Sequence, residues 1–122
     1  MLPPRYRVVS RDGEKAVVAF ELPPDLMYFS GHFPARALLP GVAQLDFAIS
    51  LCDEIFGSGT GFNHVVRLKF VKPILPGDGV ELVLRYSAQK RQLDFAYAIS
   101  ARRGLPLPPV PVTAGSGRLR IA

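Results

Sequence analysis

His32 and Asp46 are the two residues in this chain whose types and setting could carry chemistry. Residues 31–52 read GHFPARALLPGVAQLDFAISLC, with one of the chain's two histidines in a proline-rich loop and a single carboxylate inside the apolar segment that follows. A loop imidazole with an ordinary pKa of about 6.5 is largely neutral at pH 7 and can accept a proton. A carboxylate buried in an apolar helix is costly, so Asp46 is expected to be buried, to hold its proton and to be able to donate it. Between them, the backbone N–H groups of Gly41 and Val42 open a helix, where free donors and the positive dipole end favour a developing oxyanion. Base, acid and oxyanion donors are the set needed to remove a proton next to a carbonyl and expel a β-hydroxyl. Each piece also has an ordinary role. Loop histidines usually pack or face solvent, helix aspartates are usually exposed or ion-paired, and Pro-Gly is a common helix start.

The elements that must position these residues follow from pattern. Arg5–Ser10 and Lys15–Leu22 are β-rich runs around Asp12-Gly13, a hairpin signal, and Pro23-Pro24 ends the second. Pro40–Phe56 is the one convincing helix, opened by proline and closed by Gly57. Its apolar residues cover most of the circumference, which predicts a helix buried all round. In Phe62–Val71, alternation puts Phe62, His64, Val66, Leu68 and Phe70 on one face, with Arg67 and Lys69 on the other. His64 is therefore expected to be a buried packing histidine. Pro76-Gly77-Asp78 is a turn, Gly79–Gln89 and Gln92–Arg102 are strands around Lys90-Arg91, and Gly115–Ile121 is a last strand. The order β-β-α-β-β-β-β implies an α+β fold, with one long apolar helix wrapped by an antiparallel sheet.

Length and composition fit that picture. The 122 residues, 48% hydrophobic and 20% charged, suit one globular domain spanning 1–122. No apolar run is long enough for a membrane helix and the N-terminus lacks a signal-peptide core, so no membrane association and a cytoplasmic location are expected. The lone Cys52 reads as a small buried hydrophobe. Four prolines between Pro106 and Pro111 suggest a stiff extended connection. The net charge of +5 favours an acidic partner. Aromatic residues are not interleaved with the basic ones as nucleic acid binding would need, so no nucleic acid is expected. Nothing has metal-ligand spacing or the form of a nucleotide loop, and no cofactor or metal is expected.

GHFPARALLPGVAQLD resembles the signature of the 3-hydroxyacyl-acyl-carrier-protein dehydratases: His-Phe-Pro, then Pro-Gly at a helix start, then Asp or Glu in the helix at this spacing. LKFVKPILPGDGVEL (residues 68–82) is similar to the segment after the helix in the same family, and the wording PGVAQLD looks most like the short dehydratases of aryl-polyene pathways. The resemblance implies a hot-dog fold and an obligate homodimer with active sites shared across its interface. It also implies that His32 is the base, Asp46 the acid from the facing subunit, and the Gly41 N–H the donor to the thioester carbonyl. Phe33 and Val42 join Gly41 as substrate-binding residues. Ala37 departs from the usual proline, and the aspartate at 46 resembles dehydratases that also isomerise their product, which leaves isomerisation open.

The implied activity is dehydration of 3-hydroxyacyl thioesters on acyl carrier protein to trans-2-enoyl thioesters, in fatty acid or aryl-polyene biosynthesis. Arg36, Lys69 and Lys72 are candidates for docking the acidic carrier, although solvation alone also explains each. The rivals are an acyl thioesterase on the same fold and a non-catalytic acyl-carrier-binding subunit. The thioesterase would also use a helix carboxylate, so the retained His32 argues against it, and intact His32 and Asp46 together argue against the second, while a hetero-oligomer with another hot-dog subunit stays compatible.

Overall fold

A computed structural model describes residues 1–23, 38–102 and 111–121. The strands are β1 (Arg7–Asp12), β2 (Lys15–Glu21), β3 (His64–Phe70), β4 (Gly79–Ser87), β5 (Gln92–Ala101) and β6 (Val112–Arg120), with one helix, α1 (Gly41–Phe56), between β2 and β3. They form a six-stranded sheet in the order β1-β2-β4-β5-β6-β3, with every neighbouring pair antiparallel. This is the expected helix-and-sheet arrangement of the hot-dog fold. The strand ends differ slightly from the sequence pattern, since β1 runs on to Asp12 and β6 starts at Val112. His32, Phe33, Arg36 and Ala37 lie outside the described residues, as does the proline-rich connection before Pro111.

Local chemistry accounts for the connections. Gly13, at φ 57°, takes the left-handed backbone that the β1–β2 hairpin needs, and Gly77, at φ 85°, does the same in the turn before β4. That second turn is closed by Asp78. Its fully buried carboxylate accepts the Leu75 N–H at 2.8 Å and two guanidinium bonds from Arg102, at 3.0 Å from Nε and 2.9 Å from Nη2. Arg102 Nη2 also donates to the Pro73 carbonyl at 2.9 Å, which ties the end of β5 to the turn.

The core lies between α1 and one face of the sheet. Phe47 and Leu51 of the helix are fully buried with Leu82, Leu84 and Tyr97, and Phe20 meets Phe47 edge-on at 5.9 Å between ring centroids. Tyr97 adds a polar tie, its hydroxyl donating to the Gln44 carbonyl at 2.7 Å. Burial pushes the Tyr97 pKa well up, with the Asp46 charge adding to the effect. Gly117 is required by packing: a Cβ there would stand 2.7 Å from the Phe95 ring and 2.8 Å from Leu68 Cδ2. Gly117→Ala should therefore destabilise the fold by about 1–3 kcal/mol, the usual cost of overpacking, seen as a melting temperature several degrees lower.

Two expectations are corrected. The helix is not buried all round: Ala43, Gln44, Phe47, Ala48, Leu51 and Cys52 are covered, whereas Val42 is 71% exposed and Asp53 and Glu54 face solvent. The sheet covers only one side of a helix whose other side it cannot reach. Nor is His64 buried. It sits exposed on β3, an edge strand whose residues are all exposed. Both faces of this edge strand are exposed, and a bulge between Val65 and Arg67 also shifts the strand's phase. His64 thereby pairs with Arg120 and Arg67 with Arg118, while Leu68 and Phe70 stand opposite Gly117 and Gly115. The histidine ends on the side of the cations rather than the side of Leu68 and Phe70.

Candidate active site

The helix start is built around Pro40 and Gly41. Pro40 is the N-cap in an extended conformation without a side-chain cap, and its carbonyl accepts the N–H groups of Ala43 and Gln44 at 3.0 and 3.1 Å. The Gly41 and Val42 N–H groups precede these and have no acceptor among the described residues. They are first-turn donors at the positive end of the helix dipole. Glycine at position 41 leaves room for the Phe70 ring, because a Cβ would come within 2.9 Å of Phe70 Cε2 and push it aside. The Phe70 ring can lie against the helix start only because nothing is there. A cavity of about 270 Å³ opens at this point, lined by Leu38, Leu39, Gly41, Gln44, Phe70 and Lys72 among others.

Asp46 lies one turn further along the helix. The expectation that it is buried is corrected: its side chain is 41% exposed, on the open side of the helix that also carries Val42. Its Oδ1 accepts the Met1 ammonium group at 3.0 Å, and the same ammonium reaches Ser50 Oγ at 2.9 Å. His32 and Phe33, the other half of the expected constellation, fall outside the described residues. Of the expected docking cations, Lys69 and Lys72 are exposed and Arg36 lies outside the described residues.

A larger cavity of about 730 Å³ lies between residues 4–7 and the ends of β2, β4 and β5, lined by Arg5, Arg7, Glu21 and Ser100. It contains none of the residues singled out by sequence, and the smaller cavity at the helix start is the one that borders Gly41. Cys52 is fully buried, and burial pushes its thiol up to about 11. A raised pKa leaves little thiolate at pH 8, so a disulfide-exchange reagent should label Cys52 promptly only after unfolding. Rapid labelling of the folded protein at pH 8 would contradict this placement. Gln44 is the residue that sequence reading passed over. It is 4% exposed, donates from Nε2 to the Leu39 carbonyl at 3.2 Å, and keeps Oε1 buried without a hydrogen-bond partner.

The chain as a whole has similar known proteins. Residues 8–105 match the ApeI-like family model, described as ApeI dehydratase. A 3-hydroxyacyl-[acyl-carrier-protein] dehydratase FabZ from Syntrophomonas wolfei is 32% identical over 104 residues, covering 74% of this chain and 72% of that protein. Among solved structures, the dehydratase heterocomplex ApeI:P from Xenorhabdus doucetiae superposes with a TM-score of 0.77 at 28% identity, covering 98% of this chain and 97% of that one. An uncharacterized protein from Erwinia carotovora does so at 0.73 and 35% identity, covering 98% and 93%. The fold and these similarities together define a hot-dog enzyme of the dehydratase class. The chain belongs to the ApeI-like dehydratase family.

Proposed function

We propose that this chain, as a single cytoplasmic domain working in a homodimer, dehydrates 3-hydroxyacyl thioesters on acyl carrier protein to trans-2-enoyl thioesters for fatty acid or aryl-polyene biosynthesis. The observation that carries the reading is the placement of Asp46, one turn beyond the Gly41 N–H, which has no acceptor among the described residues, and on the side of the helix that its own sheet leaves open. A second subunit laid over that side would exclude water from the carboxyl and favour its protonated form. His32 of one subunit then takes a proton from C2 of the thioester. The Gly41 N–H of the other holds the enolate oxygen, Val42 and Phe33 flank the acyl group, and Asp46 gives its proton to the departing 3-hydroxyl, which leaves as water. Returning the proton from His32 to Asp46 resets the site.

The edge strand supports the dimer. β3 has no neighbour on its outer side among the described strands and exposes Val65, Val66, Leu68 and Phe70, with Val71 just beyond, by 38% to 54%. Such an edge is a template for pairing with another chain. The ApeI:P heterocomplex among the similar structures favours a second arrangement, in which another hot-dog subunit takes the partner's place. Incubation with a carrier-bound 3-hydroxyacyl chain should show loss of one water by mass spectrometry with the thioester intact. Release of free thiol instead would identify a thioesterase.

The shared site has its own test. Inactive His32→Ala and Asp46→Asn chains, mixed in equal amounts and allowed to exchange, should form about half heterodimers, each with one intact site. Activity should then recover to roughly a quarter of wild type. Heterodimers confirmed by mass spectrometry but inactive would place both residues within one chain.

A further inference from the structure

The geometry points to Gln44 as a binding residue whose Oε1 accepts a hydrogen bond from the cysteamine amide N–H of a pantetheine-type arm; this rests on the thioester reading above. Gln44 is 4% exposed, and its amide cannot be turned over, because Nε2 must face the Leu39 carbonyl that it donates to at 3.2 Å. Oε1 is therefore fixed as the buried acceptor without a partner. Leaving such an atom unpaired is costly, and persists where another state of the molecule satisfies it.

The surroundings identify the donor. Gln44 borders the 270 Å³ cavity at the helix start, together with Gly41. Gly41 and Gln44 are three residues apart, neighbours on one helix face and about 4.5 Å apart along the axis. Asp46 lies about 200° around the helix from Gln44, so the 3-hydroxyl that Asp46 protonates is not the group that meets Gln44. With the thioester carbonyl on the Gly41 N–H, the next donor along the ligand is the amide N–H, an ethylene group beyond the sulfur. Its reach matches the spacing of the two residues. The Phe70 ring and Gln44 Oε1 both lie against Gly115, at 3.1 and 3.5 Å from where a Cβ would stand. An outward turn of this ring, 46% exposed at the end of the edge strand, admits the arm.

The test compares two thioesters with the same 3-hydroxyacyl chain, one on N-acetylcysteamine and one on 2-mercaptoethyl acetate, in which an ester oxygen replaces the N–H. Dissociation constants are measured by NMR titration of the assembled protein. Wild type should bind the amide about tenfold more tightly, and Gln44→Leu, checked for unchanged melting, should bind both alike. Equal affinity in wild type, no binding of either, or full discrimination kept by Gln44→Leu overturns the inference. Dehydration of carrier-bound substrate is a separate readout. Its absence with the selectivity intact sinks the proposed activity and leaves the Gln44 contact standing.

Discussion

Asp46→Asn and His32→Ala are each expected to lower dehydration by roughly 10²- to 10⁴-fold, the usual effect of removing a general acid or base. Asparagine keeps the shape of Asp46 and cannot deliver its proton. The fold should not suffer, because the carboxyl is 41% exposed and its described ion partner is the terminal ammonium at 3.0 Å. A pair this open contributes about 0–1 kcal/mol. Kinetics on a carrier-bound substrate with parallel thermal melts decides the matter. An Asp46→Asn protein with wild-type turnover would remove Asp46 from the chemistry, and one that melts far lower would make it structural.

The largest effect on stability is expected at Arg102, far from this chemistry. Arg102→Ala leaves the fully buried Asp78 carboxylate with the Leu75 N–H and no counter-charge among the described residues. Breaking a buried pair from one side typically costs about 3–5 kcal/mol. At this chain length that corresponds to a fall in melting temperature on the order of 10 °C. The double variant Arg102→Ala, Asp78→Asn should recover part of the loss, because it no longer strands a charge. If Arg102→Ala melts like wild type, the tie between the end of β5 and the turn before β4 carries no weight.

Helix ends and turns were legible in the sequence because each rests on a local signal. Pro40 and Gly57 bound α1, and Gly57 takes the left-handed cap at φ 69°. Gly13 and Gly77 sit where Asp-Gly and Pro-Gly-Asp announce turns. What failed depends on distant partners. The bulge after Val65 is set by how β3 meets β6 and leaves no mark in β3's own residues, so simple alternation put His64 on the wrong side. The exposure of Asp46 was misjudged because an apolar helix that one sheet half covers looks, in one dimension, like a helix that is enclosed. Gln44 reads locally as a polar interruption, and its meaning depends on Leu39, Phe70 and Gly115 meeting around it. Arg102 and Asp78 are separated by 24 residues, so neither indicates the other.

The Tyr97 hydroxyl, bonded to the Gln44 carbonyl at 2.7 Å, settles a matter of angle. An apolar helix lying on an apolar sheet can slide and roll at little cost, since one greasy contact replaces another. A roll with no compensating slide would carry Asp46 out of its direction and swing the Gln44 carbonyl away from the phenol. A buried phenol that must keep an acceptor resists such a roll. Residue 97, on the middle of the sheet, thus sets the compass bearing of a carboxylate that it does not touch.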